Sequence, residues 1–192
     1  MLRKIMLGVL AVGLPVGLLA VVVTPQLASA SPAAAKGGTG TYNCKKITGT
    51  LTFAPPLTNT GTKAEKVSIK TAASGCTGGT PKVTKNTATA TLKLATNSCS
   101  GLASGGSNAV TITIKYTNGA APSTYKAESS GGLNSSGKAQ FTTTGTVTKS
   151  YASTAANSTE NIKQTAAQIE TSCGSKTGLK TLNISSGTQT DF

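Results

Sequence analysis

The chain has 192 residues, with 18 Lys and Arg against five Asp and Glu, no His, and a formal net charge of +13. The absence of histidine excludes a Ser-His-Asp triad and removes the usual imidazole ligands of a zinc site. The length suits one domain after removal of a leader. Although the charge is strongly basic, the chain lacks the interleaving of aromatic and basic residues that nucleic-acid binding uses, so we expect no nucleic-acid partner.

The first segment has the pattern of a secretory signal. Two basic residues near the start are followed by an uncharged, mostly apolar run over 5–23. Ala28 and Ala30 then match the small-x-small rule for cleavage. We therefore predict a signal peptide over 1–30 that is removed after Ala30.

The remaining chain divides into a short linker and one domain. Residues 31–41 are small and glycine-rich, which indicates a flexible linker, and 42–192 carry the periodic patterns of a folded domain. The alternative for the first segment is an uncleaved membrane anchor, since the apolar run approaches the roughly 20 residues that span a bilayer. Pro15 within that run disfavours a stable anchor helix.

Four cysteines follow the leader, and their number and context indicate disulfides. An even set in an exported chain is typical of paired cysteines, and no C-x-x-C spacing or histidine supports a metal site. We expect no metal, no cofactor and no catalytic thiol. Three pairings are possible from the sequence alone, among Cys44, Cys76, Cys99 and Cys173.

The first two strands favour one pairing. Apolar and small polar residues alternate over 47–53 and again over 66–71, with a turn-rich connector between them. A hairpin folded about Thr60 places Cys44 opposite Cys76 at its open end. The other two cysteines then pair with each other.

Further alternating runs predict an antiparallel sheet protein. Short strands separated by Gly, Asn and Pro favour a mainly β fold, an immunoglobulin-like β-sandwich. The expected strands cover 87–94, 110–116, 124–127, 139–141 paired with 146–151 about Thr144 and Gly145, and 179–184, with a loop around Cys99 and a flexible connector at 128–137.

One segment near the C-terminus has helical spacing instead. The apolar face consists of Ile162, Ala166, Ile169 and Cys173. Asn157 followed by Glu160 resembles a capping box, and Gly174 is a suitable stop. We expect a helix of about three turns packed on one end or edge of the sandwich.

A possible catalytic motif is weak. Ser123 and Lys126 match an S-x-x-K box, and 176–178 read K-T-G, as in penicillin-recognising enzymes, but the intervening S-D-N box is absent. The glutamates fall on loops, a strand end and the predicted helix, so they indicate no carboxylate pair. A secreted serine/lysine-type hydrolase or penicillin-interacting protein remains the alternative function.

The surface chemistry leaves two interpretations open. The lysines either form a solvated surface that guards strand edges, or attach the protein to anionic envelope polymers or lipid head groups. Similarly, the tyrosines form either a sugar-stacking surface or ordinary packing with exposed hydroxyls. These tyrosines are Tyr42, Tyr116, Tyr125 and Tyr151.

Three stretches carry a resemblance to known sequences. "CKKITGTLTFAPPLTNTGT" over 44–62, "NSCSGL" around Cys99 and "QTAAQIETSCGSKTGLKTLNISSG" over 164–187 resemble a group of uncharacterised exported actinobacterial proteins. The resemblance implies a secreted bacterial β-rich domain with paired cysteines. It implies no substrate, cofactor or catalytic residue.

These observations predict a non-enzymatic protein that is secreted to the extracellular space, where it is either free or associated with the cell wall. We expect it to bind at the cell envelope, through an anionic polymer, or to an extracellular protein. We expect no membrane span to remain after cleavage.

Overall fold

The structure is a computed structural model, and it describes residues 35–103, 106–134 and 136–192. The predicted signal peptide over 1–30, with Ala28 and Ala30, therefore lies outside the described residues. In the part of the chain that the structure describes, no helix is long and apolar enough to cross a membrane.

Eight strands and two short helices make up the described chain. Their order and bounds are β1 (Thr39–Leu57), β2 (Thr62–Thr80), β3 (Lys85–Asn97), α1 (Cys99–Ala103), β4 (Ser107–Tyr116), β5 (Ser123–Leu133), β6 (Ala139–Thr148), β7 (Ser153–Ile162), α2 (Ala166–Gly174) and β8 (Leu179–Thr190). β1 begins inside the interval that the sequence assigned to a linker.

The strands close into a barrel, so the predicted β-sandwich is wrong. Each strand pairs antiparallel with the next, and β8 returns to pair with β1. On β1, Leu51 lies opposite Ile69 of β2 on one side and Leu182 of β8 on the other. A sandwich and a barrel both require alternating apolar residues with one buried face, and closure removes the exposed sheet edges. Mainly β content is confirmed, and the immunoglobulin-like arrangement is not.

The predicted hairpin register is confirmed. Ile47 lies opposite Ala73, and Cys44 lies opposite Cys76. Cys44 and Cys76 form a disulfide between β1 and β2, and a second disulfide joins the two helices. It links Cys99 of α1 to Cys173 of α2, so both predicted pairings are present.

Two strand boundaries differ from the sequence prediction. Residues 128–133, expected to be a flexible connector, continue β5, and β6 runs without a turn through Gly145. A Cβ at Gly145 would lie 2.1 Å from the carbonyl oxygen of Lys126. This glycine therefore marks a close approach of two strand backbones rather than a turn.

The predicted helix begins later than expected. Residues 153–162 form β7, so Asn157 and Glu160 belong to a strand. The capping box of α2 is made instead by Thr165 and Gln168, whose side chains bond each other's backbone amides. The stretch 97–108 was expected to be a loop, and α1 forms within it over Cys99–Ala103.

The barrel has two different ends. The loops that follow β1, β3, β5 and β7 lie at one end, which carries both helices and is called the helical end below. The opposite end, called the tyrosine end, is filled by a cluster of aromatic rings. The cluster contains Tyr42, Tyr116, Tyr151 and Phe192, which are all buried.

Candidate functional site: the barrel interior

The tyrosine end closes the barrel with packed rings and satisfied hydroxyls. The ring centroids of Tyr116 and Tyr151 are 4.6 Å apart, and the ring of Tyr42 packs edge-on against both. The Tyr116 hydroxyl donates to Ser123 Oγ at 2.7 Å, and the Tyr151 hydroxyl donates to the Pro81 carbonyl at 2.8 Å. These tyrosines therefore form a floor for the interior, and their hydroxyls bond to protein partners. Neither a sugar-stacking surface nor exposed hydroxyls are found for them.

The buried side-chain amide of Asn86 links residues of this floor by hydrogen bonds. Asn86 Nδ2 donates to Gln189 Oε1 at 2.9 Å and to the Tyr42 hydroxyl at 3.2 Å. Burial of the phenol raises the pKa of Tyr42 far above its ordinary value, so this hydroxyl stays neutral. The floor is thus a polar network that carries no charge.

Above the floor, the interior contains an apolar cavity of about 120 Å³. Five apolar side chains that line it remain partly accessible even though they belong to the inward face of the strands. They are Ile69, Leu92, Leu94, Ile112 and Phe141. Interiors without a cavity pack to nearly crystalline density, so accessible apolar side chains inside a barrel indicate a space that a ligand can enter.

A second cavity of about 390 Å³ lies at the helical end. It is bordered by α1, α2 and the start of β6, and the Cys99–Cys173 disulfide forms part of its wall. Leu102 and Phe141 line both cavities. These two side chains therefore form a wall shared by the first cavity, called the inner cavity below, and this second cavity, called the outer groove. Leu133, at the rim of the groove, is 60% exposed.

The inner cavity has an apolar wall and a polar wall. Strands β1–β4 contribute chiefly aliphatic side chains and Phe53, whereas β5–β8 contribute several hydroxyls, an amide and one carboxyl group. The polar residues of this second wall are Ser129, Thr143, Ser158, Glu160 and Gln189.

Glu160 is the acid on this polar wall. It lies directly opposite Phe141 on β6, and on β8 it faces Gly187, which has no side chain. Burial raises the pKa of Glu160 from 4.5 to about 7, although a hydrogen bond from Ser158 acts in the opposite direction. Near neutral pH this carboxyl group therefore holds its proton more readily than an exposed glutamate does.

Lysines lie on the outer face of the barrel, whereas two of the five acids of the described chain lie inside it. All sixteen lysines of the described chain are exposed. By contrast, Glu65 is buried and Glu160 lines the cavity. Glu65 Oε2 accepts a 2.6 Å hydrogen bond from Thr62, and Glu65 Oε1 is buried without a partner. The interior thus carries acids and no lysine within the described residues.

The suspected S-x-x-K motif does not assemble. Ser123 is buried at the tyrosine end, where it donates to the Ser150 carbonyl, whereas Lys126 lies exposed on the outer face of the same strand. Residues 176–178 lie at the helical end, between α2 and β8. The structure therefore separates the two boxes along the length of the barrel.

Sequence reasoning missed Glu160 because the residue was assigned to a helix cap. A different pattern was available, since Ala156, Ser158, Glu160 and Ile162 follow strand alternation and share the inward face. An acid at an inward position between small and apolar residues is a signal of a functional carboxylate.

Comparisons with protein-family models, curated proteins and solved structures find no match to this chain. The resemblance to exported actinobacterial proteins stays a prediction. The function is therefore argued from the geometry of the barrel.

Proposed function

We propose that this protein is an exported, non-enzymatic binding protein whose barrel holds a small, mainly apolar ligand. The observation that carries the proposal is the set of inward apolar side chains that remain accessible around the inner cavity. Eight-stranded barrels have an interior wide enough for side chains to fill or for one small ligand. Here the tyrosine end is filled and the helical half is not.

The outer groove supports this proposal because it adjoins the inner cavity at the helical end, where Leu102 on α1 and Phe141 on β6 line both spaces. The proposed entry route passes between these two side chains. The two disulfides are typical of an oxidising compartment, which supports export.

The test is the binding of a simple apolar probe. We expect toluene to raise the midpoint of thermal unfolding of the disulfide-bonded protein, because a ligand that binds only the native state stabilises it. Ile112→Trp places a large ring in the cavity and should abolish this shift. Thr111→Trp, on the exposed face of the same strand, is the matched control and should keep it. An equal toluene response in both variants, or none in the native sequence, would contradict the proposal.

A second candidate function has its own support. Every lysine in the described chain is exposed, whereas the exposed acids in the same part are Glu128, Glu170 and Asp191. A surface of this kind attracts anionic polymers of a cell envelope. Moderate salt should then release the protein from isolated cell walls, and recovery in the fluid at low salt would count against attachment.

A further inference from the structure

The chemistry of the cavity wall selects among apolar ligands. Strands β1–β4 line the cavity mainly with aliphatic side chains, and their polar lining residues are Thr71, Asn97 and Asn108. The apolar part of a ligand would therefore lie against Leu51, Ile69, Leu92 and Ile112. The polar wall lies opposite and carries one carboxyl group, Glu160. A ligand that satisfies both walls has an apolar group and a polar group, and Glu160 determines which polar group is favoured.

We propose that the ligand is an organic amine whose protonated amino group pairs with the Glu160 carboxylate while its apolar group fills the inner cavity. This inference rests on the proposed function of the barrel. It concerns the class of ligand, and binding by the barrel does not depend on it.

The charges around Glu160 argue against an anionic ligand. The titratable side chains that line the cavity, among the described residues, are Tyr125 and Glu160. Burial raises the pKa of Tyr125, with a further contribution from the charge of Glu160, so the phenol stays neutral and offers no cation. An anionic ligand would therefore meet a carboxylate and find no base. A buried charge without a partner is strongly unfavourable.

Glu160 is a largely buried acid with no neighbouring cation among the described residues that line the cavity. Burial raises its pKa, and the hydrogen bond from Ser158 opposes that rise. An arriving ammonium group supplies that missing charge, and the carboxylate then ionises fully. A neutral alcohol gains a hydrogen bond at the same place but no ion pair, and charge-assisted hydrogen bonds are about twice as strong.

The position of Glu160 sets the orientation of the ligand. Its cross-strand partner Phe141 lines both cavities. The amino group is therefore held beside an aromatic ring, which also favours a cation. The apolar group points towards the tyrosine end.

The cavity volume limits the size of that apolar group. In the general case of an engineered apolar cavity, about 150 Å³ is enough to bind benzene. The inner cavity here is about 120 Å³. Because this volume is somewhat smaller, a single ring or a short branched chain is the largest apolar group that we expect in it, and a long acyl chain would extend into the outer groove.

The experiment compares three probes of nearly the same shape by isothermal titration calorimetry at about neutral pH. They are benzylamine, benzyl alcohol and benzoate, each titrated into the disulfide-bonded protein. We expect benzylamine to bind at least about tenfold more tightly than benzyl alcohol, as a charged hydrogen bond implies, and benzoate to bind more weakly than both.

Glu160→Gln should remove the preference for the amine. The affinity for benzylamine should fall about tenfold, and the affinity for benzyl alcohol should stay within about twofold of the native value. Glu128→Gln is the matched control, since it removes an exposed acid of β5 that does not line the cavity. Equal binding of amine and alcohol to the native sequence would overturn the amine inference and leave the proposed function standing. Failure of all three probes, and of toluene, would overturn both. If Glu160→Gln does not fold, the three probes on the native sequence still test whether the amine is preferred.

Discussion

Phe141 on β6 and Glu160 on β7 lie directly opposite each other, and both side chains line the inner cavity. Phe141 also lines the outer groove, so the carboxyl group lies close to the wall that the two spaces share. An acid in this position costs stability because it is largely removed from water. Such a cost in stability is typical of functional sites.

Glu160→Gln should reduce the pH dependence of stability. Because the pKa of Glu160 rises from 4.5 to about 7 on folding, the native state holds this proton more tightly than the unfolded chain does. The free energy of unfolding therefore falls as the pH rises through this window. The free energy of unfolding of the variant should equal that of the native sequence at about pH 4. At about pH 8 it should be higher than that of the native sequence by up to about 3 kcal/mol. Urea denaturation at both pH values measures this, and a constant difference between the two proteins would count against it.

The two disulfides should differ in what they stabilise. Replacing Cys99 and Cys173 by Ser frees α1 from α2, whereas Cys44 and Cys76 join strands that a hydrogen-bonded ladder already holds. Each double replacement should cost about 2–4 kcal/mol. Hydrogen exchange should show faster exchange confined to the helical end when Cys99 and Cys173 are lost. Faster exchange of β1 and β2 in that variant would contradict this division.

Gly145→Ala should destabilise the barrel. The added Cβ would lie 2.1 Å from the Lys126 carbonyl oxygen and 2.6 Å from Ala127 Cα, so β5 and β6 must move apart. We expect a loss of about 1–3 kcal/mol in the free energy of unfolding. Gly132→Ala is the matched control on β5, since its Cβ meets nothing within 4 Å and should change stability by less than about 0.5 kcal/mol. Chemical denaturation of the pair gives the comparison, and equal stability would show that the strands tolerate the contact.

Asn86→Ala should weaken the floor of the cavity. The variant leaves Gln189 Oε1 and the Tyr42 hydroxyl without their buried donor. A buried acceptor without a partner costs about 1–3 kcal/mol. Thr87→Ala, on the exposed face of the same strand, should stay within about 0.5 kcal/mol of the native sequence. Thermal unfolding followed by circular dichroism measures both, and an unchanged midpoint for Asn86→Ala would contradict the role of the amide.

The sequence predicted local pairing well, because short-range geometry determines it. The alternation around Ile47 and Ala73, with the turn near Thr60, was enough to place Cys44 opposite Cys76. Closure of the barrel depends on a different kind of contact. Leu51 and Leu182 pair across most of the chain, and no local pattern distinguishes that pairing from the edge of a sandwich.

The candidate site was missed in the sequence for a related reason. Glu160 lies where helical and strand spacing overlap, since Ile162 fits both patterns. The later capping box at Thr165 and Gln168 marks where the helix begins, and it leaves Glu160 in a strand. Even a correct strand assignment does not reveal a cavity, because cavity volume depends on how side chains from all eight strands meet.

The central claim is that the helical half of the barrel contains a space that small apolar molecules can enter. Diffraction from crystals of the disulfide-bonded protein under xenon pressure tests it most directly, since xenon occupies apolar cavities of this kind. We predict anomalous density between Ile69, Ile112 and Phe141. A xenon-free interior, with these side chains packed against one another, would contradict the claim.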